Sequence, residues 1–459
     1  MMANEDTIAA ISTAMAPSGI GIIRISGPEA MDIADRVFNN PKGKKLAEQK
    51  AYTLHYGHVV EDGEFLDEVL AVVMRAPHSY TGEDTVELDC HGGVLATKKV
   101  LEAVLRNGAR TAEPGEFSKR AFLNGRMDLS QAEAVMKVIS AKNEYALKSS
   151  VRQLSGSVSE KIKAIRKNLL HETARIEAAL DDPEHMSLEG YENQFRSVIA
   201  EQRNQITGLL KHADSGILMQ EGLKTVIVGK PNAGKSSLLN LLSGEDKAIV
   251  TDIAGTTRDI LEEQINIRGI TLRILDTAGI RNSDDLIEQI GVKKAMEQVQ
   301  DADLILCVFD SSVSLDENDR KILSLIRGKK AIILLNKSDL DPVVTASEMK
   351  ELTEAPVITF STKNKEGLDL LENTIEKLFF HGQLQFNDEV CITSIRLKQA
   401  LEEADRQLGY VLKSVDDGMP EDFWSIDLMG ACDALGKITG ESAGEDLVNE
   451  IFKSFCMGK

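Results

Sequence analysis

The sequence predicts a multidomain protein that combines α/β with all-α architecture. Three observations carry this. Between Thr225 and Ile358, short apolar runs alternate with helical patterns, the mark of a buried, mostly parallel sheet with crossover helices. On either side, from 128 to 215 and again after 381, apolar residues recur at helical spacing, which predicts bundle helices. Before about residue 120, short apolar runs are punctuated by Gly and Pro, which predicts a separate small α/β domain.

Each element follows in chain order. Gly21-Ile22-Ile23-Arg24-Ile25 and Thr85-Val86-Glu87-Leu88 read as strands, and Val94 to Leu105 as a helix after the Gly92-Gly93 break. From 128 to 215 proline almost vanishes, Pro183 excepted, and Leu154, Val158, Ile162, Ile165 and Leu169 keep helical spacing. Strands are expected at Thr225 to Val228, Leu272 to Leu275, Leu304 to Val308, Ala331 to Leu335 and Pro356 to Ile358. Helical texture returns with Leu397, Leu401, Ala404 and Leu408, then Leu428 to Ile438 and Leu447 to Phe455, with Ser442 and Glu445 spaced as a capping box. Two helical segments that flank an α/β unit predict one helical domain with the α/β unit inserted in it. The expected domains are 1–120, an N-terminal α/β domain; 121–218, the first helical part; 219–380, the inserted domain; and 381–459, the second helical part and tail.

The chain of 459 residues suits about three domains at roughly 150 residues each. No run approaches the ~20 apolar residues of a membrane span, and MMANEDTIAAIS lacks a basic region followed by an apolar core, so no signal peptide is expected. Five cysteines (Cys90, Cys307, Cys391, Cys432, Cys456), odd in number and far apart, argue against a disulfide framework and a zinc site. A reducing, cytoplasmic setting is expected. The net charge of −20 excludes a surface coated with phosphate-binding Lys and Arg. A nucleic acid partner must meet a local basic patch or a second protein.

Gly229-Lys230-Pro231-Asn232-Ala233-Gly234-Lys235-Ser236 matches G-x-x-x-x-G-K-[ST] between a strand and the helical Ser237-Leu238-Leu239. Glycines let backbone N–H groups curl round phosphates. Lys235 supplies positive charge at the β- and γ-phosphates, and Ser236 a hydroxyl to Mg²⁺. Three further parts follow in order. Thr256-Thr257 lie in a Gly-containing loop where a switch threonine reaches the metal. Asp276 ends a strand, placed to hold Mg²⁺ through water. Asn336-Lys337-Ser338-Asp339 follows a strand. A carboxylate there accepts hydrogen bonds from guanine N1–H and the 2-amino group. Adenine offers neither, and an unpaired buried carboxylate is costly. Asp339 therefore selects GTP, and Ser361-Thr362-Lys363 fits the loop that closes over the base.

Leu275-Asp276-Thr277-Ala278-Gly279-Ile280-Arg281 lacks the water-orienting glutamine that Ras-like enzymes carry after the glycine; Ile280 stands there. Other groups must then assist hydrolysis. Asn232, inside the P-loop, reads either as the ligand of a second, monovalent cation or as a turn residue. Glu288, twelve residues after Asp276, reads either as a water-orienting group on a loop that folds over or as a solvated loop carboxylate.

Taken together, GIIRISGP (21–28), SYTGEDTVELDCHGG (79–93), EPGEFSKRAFLNGRMDLSQAEA (113–134), GKPNAGKSSLLN (229–240), TDIAGTTRD (251–259), DTAGIR (276–281), NKSD (336–339) and FCMGK (455–459) resemble the tRNA-modification GTPase MnmE (TrmE) family over the whole chain. The N-terminal and tail motifs are specific to that family; the GTPase motifs are widely shared. The resemblance implies an N-terminal tetrahydrofolate-binding-like domain, a discontinuous helical domain and an inserted Ras-like P-loop G domain. It implies nucleotide contacts from Asn232, Ala233, Gly234, Lys235, Ser236, Ser237, Thr251, Asp252, Ile253, Ala254, Gly255, Thr256, Thr257, Asp276, Thr277, Ala278, Gly279, Asn336, Lys337, Asp339, Ser361, Thr362 and Lys363. Mg²⁺ falls to Ser236 and Thr257, and K⁺ to Asn232, Thr251, Ile253 and Thr256. Catalysis would use Glu288 on water together with Lys235 and Asn232. Folate contacts, to a 5,10-methylene- or 5-formyl-tetrahydrofolate, map onto Arg24, Glu87, Arg126 and Lys459. Cys456 carries a possible role in the tail, where Met457 replaces the family's usual branched apolar residue. Implied partners are a second copy of the chain, the flavoprotein MnmG (GidA) in a heterotetramer, and tRNA, with no membrane. Together they would install an aminomethyl or carboxymethylaminomethyl group at C5 of the wobble uridine. A ribosome-assembly or regulatory switch GTPase would share the P-loop, Thr257, Asp276 and Asp339, but would not need the 113–134 segment or FCMGK. A folate-binding module with a degenerate G domain is disfavoured by intact Lys235, Ser236, Asp276 and Asp339.

Overall fold

The computed structural model describes residues 6–182, 184–186, 188, 190–245, 263–275, 299–380 and 391–459. The chain forms two compact units. One comprises Met1–Ile139, Arg152–Ile206 and Ala400–Lys459; the other comprises Ser140–Val151 and Thr207–Gln399.

In the first unit, β1 (Ile8–Ile11), β2 (Ile20–Ser26), β3 (Phe38–Asn39), β4 (Thr53–Glu61), β5 (Glu64–Met74), β6 (Thr85–His91) and β7 (Arg110–Thr111) form one sheet in the order β3-β4-β5-β6-β2-β1-β7. All its pairings are antiparallel except β1 with β7. Alternation sorts the two faces. Ile23, Ile25, Val69, Ala71, Val73, Val86 and Leu88 enter a core with residues of the helices Ala30–Val37 and Val94–Arg106. Such burial contributes roughly 1.5–3 kcal/mol for each large apolar side chain. The intervening residues face the other way, so Arg24 stands opposite Glu87 as a cross-strand pair. The β4–β5 hairpin escaped the sequence reading although its signal is present. Asp62-Gly63 forms a two-residue turn with φ of 49° and 80°, the positive pair that an Asp-Gly hairpin turn favours.

The helical part of this unit includes Ser157–Asp181, which packs against Glu421–Thr439. Val158, Ile162, Ile165 and Leu169 are its buried stripe. Leu154, read as part of the same stripe, instead closes the preceding helix Glu144–Leu154, because Gly156 adopts a left-handed conformation between the two. Phe195 stacks on Trp424 with ring centroids 5.2 Å apart. The last helix is Glu445–Lys453 rather than 447–455, and the expected capping box is absent. Gly444 is the cap residue, so Ser442 lies two positions too early and bonds Asp433 Oδ1 at 3.4 Å instead.

In the second unit, β8 (Leu223–Val228), β9 (Glu263–Ile267), β10 (Ile270–Ile274), β11 (Leu304–Asp310), β12 (Ala331–Asn336) and β13 (Val357–Thr359) form a sheet in the order β13-β12-β11-β8-β10-β9. It is parallel except for the β9–β10 pair. Apolar layers cover both faces. Leu238, Leu242, Leu371 and Ile375 lie on one side, and Leu323, Ile326 and Met349 on the other. That double cover explains why these strands read as unbroken apolar runs; every residue of β12 is buried.

One buried charge organises the first unit. The Arg120 side chain is 1% exposed. It donates to the Asp6 carbonyl at 2.9 Å, Asp6 Oδ1 at 2.7 Å, Glu116 Oε1 at 3.0 Å and Glu83 Oε1 at 3.3 Å. Burial pushes the Glu116 carboxyl up, but hydrogen bonds from Arg110, the Glu113 N–H and Arg120 outweigh it and hold it below its ordinary 4.5. A carboxylate depressed in the folded state stabilises above its unfolded value and loses that contribution as pH falls through the folded one. Arg120→Ala leaves Glu116 and Glu83 without this partner and should cost about 3–5 kcal/mol. The measurement is the urea midpoint followed by Trp424, the single tryptophan. The loss should shrink as pH drops below 4.5 and on through the lower folded value, where native Glu116 protonates. An unchanged midpoint would show that the network adds nothing to stability.

Candidate functional site

β8 delivers its C-terminal end to the loop Gly229–Gly234, and the helix Lys235–Glu245 starts directly after it. This places a helix N-terminus at the carboxyl edge of a parallel sheet, where anions bind. The loop is tightly folded. Gly234 has φ of 107°, and a Cβ there would lie 2.1 Å from Asn336 Nδ2, so only glycine fits. Asn232 has φ of 61° and an exposed side chain; asparagine tolerates this left-handed backbone better than most residues. Lys235 Nζ donates to the carbonyls of Gly229 and Lys230, both at 2.8 Å. Burial pushes its ammonium pKa down. The lysine is thus folded onto its own loop, a charge positioned for a phosphate oxygen. Ser236 and Ser237 open the helix that follows.

The base-side loops converge on the same place. Asn336, 1% exposed at the end of β12, donates from Nδ2 to the Ala233 carbonyl at 2.8 Å and accepts the Thr362 N–H on Oδ1 at 3.0 Å. One carboxamide therefore ties the phosphate loop to the loop Ser361-Thr362-Lys363. Ser361 Oγ donates to Asp339 Oδ1 at 2.8 Å, and Lys363 Nζ stands 3.7 Å from Asp339 Oδ2. The Ser361 hydrogen bond is the main cause holding the Asp339 carboxyl below its ordinary value, with Lys363 assisting against partial burial. Asp339 is thus a carboxylate near neutrality, able to accept two N–H groups from a base. Lys337, with φ of 64°, reaches Asp310 Oδ2 at 2.5 Å, which anchors the turn between Asn336 and Asp339.

Thr251, Asp252, Ile253, Ala254, Gly255, Thr256, Thr257, Asp276, Thr277, Ala278, Gly279, Ile280 and Glu288 lie outside the described residues. Among the described residues, Asn232, Ala233, Gly234, Lys235, Ser236, Asn336, Lys337, Asp339, Ser361, Thr362 and Lys363 all belong to the unit of the parallel sheet. Sequence reading gave Asn336 no part in joining the two loops, and overlooked Asp310. Neither role is visible without strand order, although an Asp closing an apolar strand is a faint signal.

A second cluster lies on the other face of the N-terminal sheet. Arg24 Nε donates to Glu87 Oε1 at 2.7 Å, and Nη1 to the Gly458 carbonyl at 3.3 Å. Ser12 Oγ holds the same carbonyl at 3.2 Å, and the Gly115 N–H bonds the Cys456 carbonyl at 3.2 Å. Lys459 Nζ lies 5.4 Å from the Tyr80 ring centre. Burial, then the nearby Arg24 charge, pushes the Lys459 ammonium pKa down. The structure thus brings Arg24, Glu87 and Lys459 together. Arg126 is exposed, yet near enough to Tyr80 to favour its phenolate slightly against the burial that raises the phenol's pKa. Tyr80 and Phe117 complete this face and were missed, because aromatic residues in a turn and a short helix read as packing.

Fold and loops define a P-loop protein that recognises a guanine nucleotide, joined to an N-terminal sheet domain and helices. The chain matches the family description "GTP-binding protein TrmE N-terminus" over residues 7–126 and "MnmE helical domain" over 129–456. It is 53% identical over 455 residues to the tRNA modification GTPase MnmE of Lachnoclostridium phytofermentans, covering 99% of each chain. With the protein of the same name from Thermoanaerobacter pseudethanolicus it shares 48% over 457 residues, again 99% of each. Among solved structures, the G domain of the T. maritima FeoB iron transporter aligns at 28% identity with a TM-score of 0.26, covering 34% of this chain and 97% of that one. The chain belongs to the MnmE family of tRNA modification GTPases: it is a GTP hydrolase that takes part in tRNA modification. No described helix is long and apolar enough to cross a membrane.

Gly234→Ala places a methyl group against Asn336 Nδ2 and on an unfavourable φ at once. It should weaken GTP binding by about 100-fold or more, since the strut between both loops has to move. Fluorescent-nucleotide titration measures this; native affinity in the variant would show that Asn336 is no strut.

Proposed function

We propose that this GTPase is activated by potassium and works as a homodimer with a flavoprotein, MnmG (GidA), in a heterotetramer. In this reading the complex adds an aminomethyl or carboxymethylaminomethyl group to C5 of the tRNA wobble uridine. The carbon comes from a 5,10-methylene- or 5-formyl-tetrahydrofolate site, and the setting is the cytoplasm. The observation that carries it is the tail Cys456–Lys459 lying against Arg24 and Glu87. A switch GTPase without biosynthetic work has no use for that arrangement.

The nucleotide side is supported by chemistry already described. Lys235 exchanges its two loop carbonyls for the β- and γ-phosphate oxygens. Asp339, kept ionised by Ser361, accepts guanine N1–H and the 2-amino group. In this proposal Ser236 and Thr257 hold Mg²⁺, and Asn232, Thr251, Ile253 and Thr256 hold K⁺, which supply the positive charge that an arginine finger supplies elsewhere. Asn232 fits by type and position in the loop, with an exposed amide beside the phosphate-binding backbone. Glu288 orients the attacking water in place of the glutamine that Ile280 displaces. The residues at the N-terminal sheet also fit a reduced folate. Glu87 accepts from a 2-amino-4-oxopterin edge, and Arg24, Arg126 and Lys459 meet the glutamate carboxylates, whose recognition by cations is charge-assisted.

Replacing K⁺ with the smaller Na⁺ should slow GTP turnover roughly 10-fold or more, a cation at the developing charge being worth up to ~10³ or beyond. Asn232→Ala should erase the difference between the ions, while Glu288→Ala should lower turnover in both and leave nucleotide binding near normal. Equal rates of the native protein in both salts would rule out potassium.

Removing residues 456–459 should leave GTP hydrolysis within about 2-fold of native, because the tail lies outside the nucleotide-binding unit. Wobble-uridine modification, measured by mass analysis of tRNA nucleosides from cells carrying the truncated protein, should be lost. Full modification in those cells would favour the switch GTPase.

A further inference from the structure

Tyr80 stands in the N-terminal cluster without a part in the reading above. Two cations approach its ring: the Arg24 guanidinium carbon at 5.0 Å and the Lys459 ammonium at 5.4 Å from the centroid. The Arg24 charge disfavours the Lys459 ammonium and Glu87 favours it, and an aromatic face attracts each cation. The ring therefore offsets the repulsion between two cations that a ligand must find together.

The ring is held firmly. Its hydroxyl and Ser118 Oγ are 2.7 Å apart, and Ser118 is fully buried on the helix Glu116–Leu123. That helix grips the loop of Tyr80 at two further points. Asn124 Nδ2, just past its last residue, donates to the Thr81 carbonyl at 2.8 Å, and Arg120 reaches Glu83 at 3.3 Å. Its start also sets the tail. Gly115 has φ of 71°, its N–H bonds the Cys456 carbonyl, and a Cβ there would lie 2.4 Å from the Phe452 carbonyl oxygen. Phe117 of the same helix lies under Arg24, 5.5 Å from the guanidinium carbon. One short helix thus places Tyr80, Arg24 and the tail that bears Lys459.

We infer that Tyr80 is a positioning residue of the N-terminal ligand site, whose ring keeps Arg24 and Lys459 together for the carboxylates of one reduced folate. This rests on the folate reading proposed above. The ring acts through the two cations, so its loss reads as weaker ligand binding, and a phenylalanine retains most of its effect.

The test is calorimetric titration of the full-length protein with 5-formyltetrahydrofolate, with GTP turnover recorded on each sample. Tyr80→Leu should bind about 10-fold more weakly and Tyr80→Phe no more than about 3-fold, with GTP turnover equal in all. Native-like affinity in a folded Tyr80→Leu protein overturns the role of Tyr80 while the folate reading stands. No binding by the native protein overturns the folate reading and this inference with it. Equal weakening in the Leu and Phe variants also overturns it, since the hydroxyl and not the ring would then be at work. Should Tyr80→Leu misfold, Tyr80→Met replaces it. That variant removes the ring while keeping an apolar side chain and should weaken binding about 10-fold; unchanged binding counts against the inference.

Discussion

The carboxamide of Asn336 is the constraint on which the nucleotide site depends. It is buried at the end of β12, and each of its polar ends is committed: Nδ2 to the phosphate loop, Oδ1 to the loop over the base. A buried amide is costly unless bonded and rigid once bonded. The two loops are therefore set by one side chain on the sheet rather than by their own flexibility. Gly234 follows from it, because the approach of the amide leaves no room for a Cβ. Asp339 follows as well, because Thr362 is tied to Asn336 and its neighbour Ser361 bonds the carboxylate.

The N-terminal sheet solves a different problem with similar means. Here the rigid part is a helix, and the groups it positions come from far apart in sequence. Arg24 on β2, Tyr80 in a loop and Lys459 in the tail meet over one face. Arg120, itself buried, underlies this by gathering Asp6, Glu83 and Glu116 around one guanidinium. A charge network of this kind is a poor source of net stability but a strict one for geometry, since one guanidinium fixes the places of several carboxylates at once. That strictness suits a surface on which cations have to be held close without a full complement of acids.

The two clusters also share a charge logic that the overall −20 conceals. Lys235 and Lys459 are both half-buried lysines whose pKa values are pushed down, chiefly by burial. A cation held in that way gains when an anion arrives, since the anion restores what burial took away. An acidic protein can thus keep local positive charge at two places, one of them the phosphate loop.

The sequence by itself determined the layering and the chemistry of the nucleotide loops. Strand and helix differ in period, so β8, β11 and β12 were legible as continuous apolar runs and Val158 to Leu169 as a buried stripe. The P-loop and Asn336–Asp339 were legible because their function is local: each uses the backbone of a few consecutive residues. Family-specific stretches at both ends pointed to Arg24, Glu87 and Lys459 one residue at a time. Only the tertiary structure decided which residues meet. Asn336 and Ala233 are 103 positions apart, and Arg24 and Gly458 are 434; no periodicity links such pairs, because strand order and helix docking bring them together. For the same reason the parts played by Tyr80, Phe117 and Arg120 were not legible. In a sequence an aromatic ring or a charge shows its type but not its neighbours, and in this protein the neighbours make the site.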